Sequence, residues 1–454
     1  MEELRRTPRA LREWERVSAH SHITGLGLKG LKAQPIADGM VGQTEAREAA
    51  GIIIDMVKKG RFAGRAILIA GPPGTGKTAL ALGMAKELGR DVPFIPIAAS
   101  EIFSTEIKKT EFLTQALRKA IGLRVHEMRR IYEGKVEELN INQEPHPYNP
   151  YQKVPTGGTI KLSTTDASQK LTMDQSFAIS LIQQGVETGD VVQIDVDGGR
   201  VVKIGKSKEA ARKEKLDLSA VRTVETPSGP VLKHKEFVYP MNLNDLDTAQ
   251  SRAGVSMFSL FFGGEERKEI SGEVRAKVDE TVREWVEEGK AEILPGVVFI
   301  DECSMLDIET FSFLGRGMEQ ELAPIVIFAT NRGITSVRGT DLRAPHGMPL
   351  DLLDRLLIIR TKPYTRDEIL EILKIRARSE KIKVEKAALD YLADIGEQTS
   401  LRYAVQLLAP ASNVAEEEKS EKVTKKHVER VRELFADVSR SVEYLREFEE
   451  KMLK

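Results

Sequence analysis

The feature that most constrains this chain is an eight-residue, glycine-rich sequence: Gly71, Pro72, Pro73, Gly74, Thr75, Gly76, Lys77 and Thr78. The apolar run 66–70 precedes it and helical periodicity over 78–88 follows it, which predicts a loop between a buried strand and a helix. In such a loop the glycines let backbone N–H groups point at phosphate oxygens. Lys77 then neutralises the β- and γ-phosphates, and the Thr78 hydroxyl binds Mg²⁺. The sequence therefore predicts an α/β fold that binds ATP or ADP with Mg²⁺.

A second apolar run, 297–300, ends in two carboxylates, Asp301 and Glu302. Ligands of open α/β sheets bind at the carboxyl edge of the strands, so we expect both acids to face the phosphates. We assign Asp301 to Mg²⁺ and Glu302 to activation of the attacking water. Asn331 ends the next strand, where it could hold that water; the alternative is an asparagine that only forms a turn. These residues favour hydrolysis of ATP over binding alone.

Length and composition exclude several classes of protein. A chain of 454 residues is long enough for two or three domains. Its net charge of −1 gives no overall attraction to nucleic acid or membrane. The single cysteine, Cys303, excludes a disulfide within the chain and favours a reducing compartment. Because no apolar run approaches the roughly 20 residues that span a bilayer, and residues 1–19 do not resemble a signal peptide, we expect a cytoplasmic protein, nuclear if the source is eukaryotic, without membrane contact.

The middle of the chain differs from its ends in composition and in predicted secondary structure. Residues 140–155 are rich in Pro, Asn and Tyr, which predicts a loop. Strands are predicted at 191–196 and 200–205, joined by a turn with two glycines, and a second hairpin is predicted from 221–224 and 231–238. These short strands indicate a small β domain, such as a barrel. From residue 365 onward the helical spacing predicts a bundle.

The order of these motifs resembles that of an AAA+ ATPase, and more closely that of the RuvB-like proteins of the pontin and reptin family. The segments that carry the resemblance are 18–22, 25–27, 39–43, 64–82, 104–111, 296–306, 352–355 and 401–403. The resemblance implies a P-loop NTPase core with a parallel sheet over 1–120 and 293–363, an inserted OB-like β domain over 121–292, and a C-terminal helical lid over 364–454. Lys77 and Asp301 are 224 positions apart, which leaves room for such an insertion. A homo-hexameric ring, with a stacked double ring as a further option, is also implied.

The resemblance also assigns roles to individual residues. Asn331 matches the first sensor, and Arg355 matches an arginine finger that reaches the neighbouring subunit. Arg402 matches a second sensor on the lid that reaches the γ-phosphate. Residues expected near the nucleotide are His20, His22, Val41, Gly42, Tyr364, Leu401 and Arg402. For the two histidines, a surface or packing role is the alternative.

Two functions share this ATPase site. One is a DNA helicase or remodelling motor that acts on DNA or nucleoprotein complexes; the other is an assembly chaperone for protein or ribonucleoprotein complexes. Residues 122–292 hold 24 basic and 28 acidic residues, so DNA or RNA binding by the insertion depends on local patches such as 203–215. That basic run could equally be a solvated linker. A catalytically silent scaffold is the third reading, and it has no need of Glu302, Asn331 or Arg355.

Overall fold

The computed structural model describes residues 20–62, 64–89, 91–103, 107–146, 149–196, 198–213, 223–253, 269–320, 322–437 and 440–442. Parts of several predicted features lie outside the described residues, among them 18–19, 104–106, 147–148, 197, 214–215 and 221–222. Within the described ranges, no helix is long and apolar enough to cross a membrane.

The described residues form nineteen strands and fourteen α-helices. The strands are β1 Leu28–Lys29, β2 Lys32–Ala33, β3 Ile36–Ala37, β4 Met40–Val41, β5 Ala66–Ala70, β6 Phe94–Ala98, β7 Ile121–His146, β8 Asn149–Ser163, β9 Ser168–Met173, β10 Asp190–Asp195, β11 Val201–Ser207, β12 Thr223–Val224, β13 Leu232–Asn242, β14 Ala291–Pro295, β15 Val297–Asp301, β16 Ile325–Thr330, β17 Ile334–Ser336, β18 Arg343–Pro345 and β19 Leu356–Arg360. The helices are α1 Thr44–Lys58, α2 Lys77–Leu88, α3 Lys109–Lys119, α4 Gln175–Gln183, α5 Lys208–Lys213, α6 Leu243–Ala253, α7 Gly272–Glu287, α8 Ile308–Met318, α9 Leu350–Leu353, α10 Arg366–Ser379, α11 Lys386–Gln398, α12 Leu401–Gln406, α13 Leu408–Glu417 and α14 Lys425–Leu434.

The core is a five-stranded sheet in the order β19-β5-β16-β15-β6, and every neighbouring pair in it is parallel. β5 and β16 are buried along their whole length, as expected of parallel strands that helices cover on both faces. Ala70 pairs with both Thr330 and Arg360, so β5, β16 and β19 end at the same edge. The predicted parallel-sheet core is confirmed.

Successive residues of β5 point to opposite faces of this sheet and enter two separate apolar clusters. Leu68 packs in the cluster that holds Leu113 of α3 and Leu314 of α8. Ile67 packs in the cluster that holds Ile53 of α1 and Met84 of α2. Alternation along one strand therefore divides the helices into a layer on each face.

The C-terminal residues form the predicted helical lid. Its first helix, α10, begins with a capping box in which Thr365 and Glu368 satisfy each other's backbone N–H groups. Helices α10 to α14 share one apolar core, which contains Leu373, Leu392 and Val428. The predicted C-terminal helical lid is confirmed.

Two compact units divide the described chain. The described residues within 1–123, 240–283 and 293–454 form the first, and those within 124–239 and 284–292 form the second. The second unit is built on the mixed sheet β12-β11-β10-β7-β8-β9, whose core packs against α4. The domain boundaries expected from the sequence, and the OB-like character of 121–292, stay predictions.

Two local predictions for the β region are wrong. The loop predicted at 140–155 belongs mostly to β7 and β8, which pair antiparallel. Its prolines mimic a loop, but Pro145 lies beside an irregularity in that pairing, where a missing N–H is tolerated. The hairpin predicted from 221–224 and 231–238 does not form, because β12 pairs parallel with β11 while β13 pairs with β7. The hairpin of β10 and β11 is confirmed.

Candidate active site

The phosphate loop follows β5 directly and leads into α2. Gly74 and Gly76 have φ angles of 76° and 80°, which favour glycine. Gly76 is also the N-cap of α2 and offers no side-chain cap, so backbone N–H groups at this helix terminus remain for an anion. A side chain at Gly76 would come within 2.5 Å of the Tyr364 hydroxyl. Glycine is therefore required here by conformation and by space.

Lys77 is the first residue of α2, and its ammonium turns back over the loop. Its Nζ donates hydrogen bonds to the carbonyl oxygens of Gly71 at 3.0 Å and Pro72 at 2.9 Å. Burial lowers the pKa of Lys77; the charge of Asp301 opposes this and the charge of Arg402 adds to it. Asp301 and Arg402 therefore lie within electrostatic reach of the lysine.

The two acids stand at the end of β15, beside the phosphate loop. Asp301 closes the strand and pairs in register with Ala98 of β6. Glu302 has a φ of 54°, in the left-handed region that non-glycine residues rarely adopt. Its N–H donates to Asp301 Oδ1 at 2.9 Å, which holds this turn. Strained backbone of this kind is concentrated at functional sites, and Glu302 lines the cavity beside the phosphate loop.

These groups line one cavity of about 510 Å³. Asn331, the residue that follows β16, and Arg402, on α12 of the lid, line it as well. The sequence-predicted residues that the cavity brings together are His20, His22, Val41, Pro73, Gly74, Gly76, Lys77, Thr78, Asp301, Glu302, Asn331, Tyr364, Leu401 and Arg402. The cavity is thus large enough for a ligand, and it is lined both by cationic and hydroxyl groups that suit a triphosphate and by two carboxylates.

Comparison with known proteins agrees with this geometry. The profile of the TIP49 P-loop domain matches residues 16–367, and that of the TIP49 AAA-lid domain matches residues 372–437. The chain belongs to the TIP49 family. RuvB-like protein 1 of Arabidopsis thaliana is 45% identical over 445 residues, which cover 97% of this chain and 96% of that protein. The expected membership among RuvB-like AAA+ ATPases of the pontin and reptin type is confirmed, and it implies nucleotide binding and ATPase activity.

Some residues predicted for the TIP49 site lie beside the cavity rather than on its wall. Thr75 is buried, and its hydroxyl contacts the Pro72 carbonyl at 2.9 Å and Thr361 Oγ1 at 2.6 Å. The N–H of Gly71 donates to the Thr330 carbonyl at 3.2 Å. Thr75, Gly71 and Pro72 thus shape the loop. Gly42 adjoins the cavity-lining Val41 and does not line the space itself.

Arg355 stands apart from the other predicted site residues. It follows α9, is largely exposed, and pairs with Glu319. It does not line the cavity of its own subunit. Its predicted role as an arginine finger therefore needs a phosphate supplied by another copy of the chain.

The two histidines line the same cavity and are uncharged at neutral pH. Burial and the charge of Arg376 lower the pKa of both, and His20 adds to the effect on His22, whose pKa falls to about 4. Nδ1 of His22 is buried and has no hydrogen-bond partner among the described residues. Neutral imidazoles offer one donor and one acceptor each, which suits a nucleobase better than a phosphate.

Sequence reasoning missed several residues of the cavity wall. From the lid these are Ile372, Ile375, Arg376, Val405 and Gln406, and from the core Ile23, Gly39, Met40 and Ala79. Ile372, Ile375 and Arg376 share one face of α10 at helical spacing, a pattern that could have marked them. Tyr364, which was predicted, has its pKa raised to about 12 by burial and by Glu368. Its hydroxyl therefore stays protonated beside Gly76.

The donor set at the phosphate end fits Mg²⁺. The Asp301 carboxylate and the Thr78 hydroxyl both line the cavity, and they are hard oxygen ligands. Mg²⁺ usually binds through one or two protein ligands plus phosphates and waters, so a larger acidic cage is not needed. Among the described residues, no group of three or more His, Cys, Asp or Glu side chains forms such a cage.

Proposed function

We propose that the chain hydrolyses ATP to ADP and phosphate as a homo-hexameric ring and uses the cycle to remodel macromolecular complexes. The observation that carries the proposal is the single cavity that joins Lys77 and the phosphate loop to Asp301, Glu302 and Asn331. A scaffold that only bound nucleotide would need no carboxylate beyond the metal ligand. Glu302 is the additional carboxylate, and its strained backbone is fixed by Asp301.

Each side chain has a step in this reaction. Glu302 accepts a proton from the attacking water while Asn331 orients that water toward the γ-phosphate. Lys77 and Arg402 stabilise negative charge on the phosphoryl oxygens. Asp301 and Thr78 would hold Mg²⁺, which when bound neutralises charge on the β- and γ-phosphates. The neutral His20 and His22 and the apolar lid residues would hold the adenine.

The ring is part of the proposal because Arg355, the predicted arginine finger, does not line the cavity of its own subunit. Arg355 is exposed and outside the cavity, and its partner Glu319 is also exposed. Exposed ion pairs of this kind contribute at most about 1 kcal/mol, so a neighbouring γ-phosphate could displace Glu319 readily. Arginine fingers supplied in trans are a known device of phosphoryl transfer.

Substitution of Glu302 tests the catalytic assignment. Glu302→Gln keeps the shape of the site and removes the base, so we expect ADP and ATP affinity to persist while turnover falls at least about 100-fold. Glu309→Gln, which alters an exposed carboxylate on α8 paired with Lys109, is the matched control and should hydrolyse ATP normally. A Glu302→Gln chain that turns over at the parent rate would remove Glu302 from the base role.

Two observations bear on what the ring acts upon. In the second unit, the stacked rings of Phe237 and Tyr239 lie with Arg129 over Tyr239, an arrangement on which bases of single-stranded DNA or RNA could stack. This supports a helicase or remodelling motor. Arg129 is, however, already paired with two carboxylates.

Three lysines of the basic run, Lys203, Lys206 and Lys208, support the alternative role of an assembly chaperone for protein or ribonucleoprotein complexes. Lys203 pairs with Asp190 at 2.7 Å and Lys208 with Glu225 at 2.8 Å, while Lys206 lies 3.9 Å from Glu187. Lysines neutralised in this way release few counterions from nucleic acid. A client protein would then be the partner that changes ATP turnover.

One measurement separates the two roles. The ATPase rate is recorded against protein concentration, with and without single-stranded DNA, at several salt concentrations. A rate that rises with DNA, with an effect that weakens steeply as salt increases, supports the DNA-coupled motor. No response to DNA, together with a response to client protein, supports the chaperone. In either case the rate per chain should rise as rings assemble.

A further inference from the structure

Gln43 occupies the N-cap of α1 but does not act as a cap. Its side chain makes no capping hydrogen bond, although this position favours Ser, Thr, Asp or Asn for that purpose. Its φ is 48°, in the left-handed region that non-glycine residues rarely adopt. The side chain of Gln43 therefore has a role other than capping α1.

The side-chain amide of Gln43 binds the backbone of Lys362 at two points. Nε2 donates to the Lys362 carbonyl oxygen at 2.5 Å, and Oε1 accepts from the Lys362 N–H at 3.1 Å. The two residues are 319 positions apart. The Gln43 amide also lies close enough to the Tyr364 hydroxyl to oppose part of the rise in the pKa of Tyr364. An amide that satisfies both backbone groups of one residue fixes the position of that backbone.

Lys362 belongs to the short segment between β19 and the first lid helix, α10. The preceding residue, Thr361, contacts Thr75 of the phosphate loop through its hydroxyl at 2.6 Å. Tyr364, two residues after Lys362, places its hydroxyl against Gly76. This linker, residues 361–364, is therefore anchored to the phosphate loop immediately before the lid begins.

The segment that carries Gln43 is itself rigid and touches the lid. The Gly42 carbonyl accepts a hydrogen bond from the buried Arg47 at 3.0 Å. A side chain at Gly42 would come within 2.1 Å of Glu368, a residue of the capping box of α10. Val41, which precedes Gly42, lines the nucleotide cavity. Gln43 thus joins one wall of the cavity to the linker of the lid.

We propose that Gln43 is the positioning residue that holds the lid closed over bound nucleotide, by clasping the backbone of Lys362. The inference rests on the proposed nucleotide site and adds the contact that determines the residence time of a bound nucleotide. Without the clasp, the linker can swing, and the lid carries Leu401 and Arg402 out of the cavity. Apparent affinity falls in proportion to the fraction of closed lid.

Two substitutions separate the clasp from the backbone conformation. Gln43→Asn keeps the amide and tolerates the left-handed backbone, but it is one methylene too short to reach Lys362. Gln43→Glu keeps the length and the acceptor, but it has no N–H for the Lys362 carbonyl. Glu45→Gln is the matched control, because Glu45 contacts the same residue only through the exposed ammonium of Lys362.

The experiment follows the release of a fluorescent ADP from the full-length chain in rapid mixing. We expect both Gln43 variants to release ADP about tenfold faster, which equals a loss of about 1.4 kcal/mol. Their KM for ATP should rise by a similar factor, while the single-turnover hydrolysis rate at saturating ATP should stay within twofold of the unaltered chain. A general loss of structure would lower that rate too, so the split between KM and turnover isolates a positioning role.

The remaining outcomes overturn the inference. Either Gln43 variant releasing ADP at the unaltered rate would show that the two hydrogen bonds do not control the lid. Equal acceleration by Glu45→Gln would assign the effect to charge at Lys362 and not to the clasp. If the unaltered chain bound no ADP, the proposed function and this inference would both be refuted. That result can be told apart from the outcomes above, in which the unaltered chain binds ADP.

Discussion

Arg47 offers the sharpest test of how the cavity wall is held. It is fully buried on α1 and is the largest side chain with no exposure in the described chain. Its guanidinium donates to four backbone carbonyls, those of Leu26 and Gln34 at 2.7 Å, Gly27 at 2.9 Å and Gly42 at 3.0 Å. Burial lowers its pKa, although the guanidinium stays charged at any physiological pH. One side chain therefore pins the whole segment from residue 26 to residue 42.

The expected cost of removing this guanidinium follows from the four bonds. Hydrogen bonds from a charged donor contribute roughly 1.5–3 kcal/mol each, but members of one network do not add fully. Arg47→Met keeps most of the apolar stem and leaves four carbonyls without this donor. We expect a loss of about 4 kcal/mol in local stability, near the upper limit for a single substitution. Arg47→Lys can supply at most three donors and should lose about 2 kcal/mol.

Amide hydrogen exchange with detection by mass spectrometry reports this local loss. Peptides that cover residues 26–42 should exchange about 1000-fold faster in Arg47→Met, since 1.4 kcal/mol is a factor of ten. Arg61→Met, which changes an exposed arginine beyond the end of α1, is the control and should leave these peptides unchanged. If exchange of residues 26–42 in Arg47→Met stayed within threefold of the unaltered chain, the segment would be held by other contacts and the reasoning would be refuted.

Further expectations concern the ring, the pH response and stability. Arg355→Ala should lose hydrolysis, and mixing it with a Lys77→Ala chain should restore part of the rate; a mixture as inactive as its components would argue against action in trans. Because burial lowers the pKa of His22 from 6.5 to about 4, the unfolded chain binds an additional proton between these values, so stability falls as pH falls through that window. His22→Gln should flatten this part of the melting-temperature profile, and an unchanged profile would contradict it. Asp247→Ala removes a fully buried carboxylate that pairs with two arginines, so it should lower the free energy of unfolding, measured with denaturant, by about 3–5 kcal/mol. The control Asp55→Ala, which removes an exposed carboxylate, should lower it by at most about 1 kcal/mol. Equal losses in the two variants would contradict the argument from burial.

The sequence was sufficient for those parts of the site that depend on local pattern. Glycine spacing, a preceding apolar strand and a following helix identify Lys77 and Thr78 without knowledge of the rest of the fold. Asp301, Glu302 and Asn331 followed because a polar residue that ends a buried strand has to face the sheet edge. The structure places these residues in one cavity, while their catalytic roles stay predictions until measured.

The contacts that the sequence could not supply are those between distant segments. Nothing local marks Gln43, whose partner is 319 positions away, or Arg47, whose four acceptors come from loops of irregular sequence. The wrong prediction of a loop at 140–155 has the same cause. Its Pro and Asn content predicts a loop, but strand pairing between β7 and β8 supplies hydrogen bonds that override local preference. The sequence pattern was enough to predict the strands that carry the proposed catalytic residues, whereas the contacts that hold the surrounding loops in place depend on tertiary structure.

The distribution of charge explains why the lid and the phosphate loop should respond to nucleotide together. Arg402 belongs to the lid and Lys77 to the core, and each acts on the other as a like charge, since Arg402 helps to lower the pKa of Lys77. Asp301 acts in the opposite sense, and its charge has a larger effect on the pKa of Lys77 than that of Arg402. A triphosphate between the two cations attracts both of them, so nucleotide binding favours closure of the lid. Closure should therefore weaken as salt increases, and it should weaken less in Arg402→Gln, because one of the screened charges is gone. A salt response that Arg402→Gln leaves unchanged would mean that apolar contacts of the lid, and not charge, drive closure.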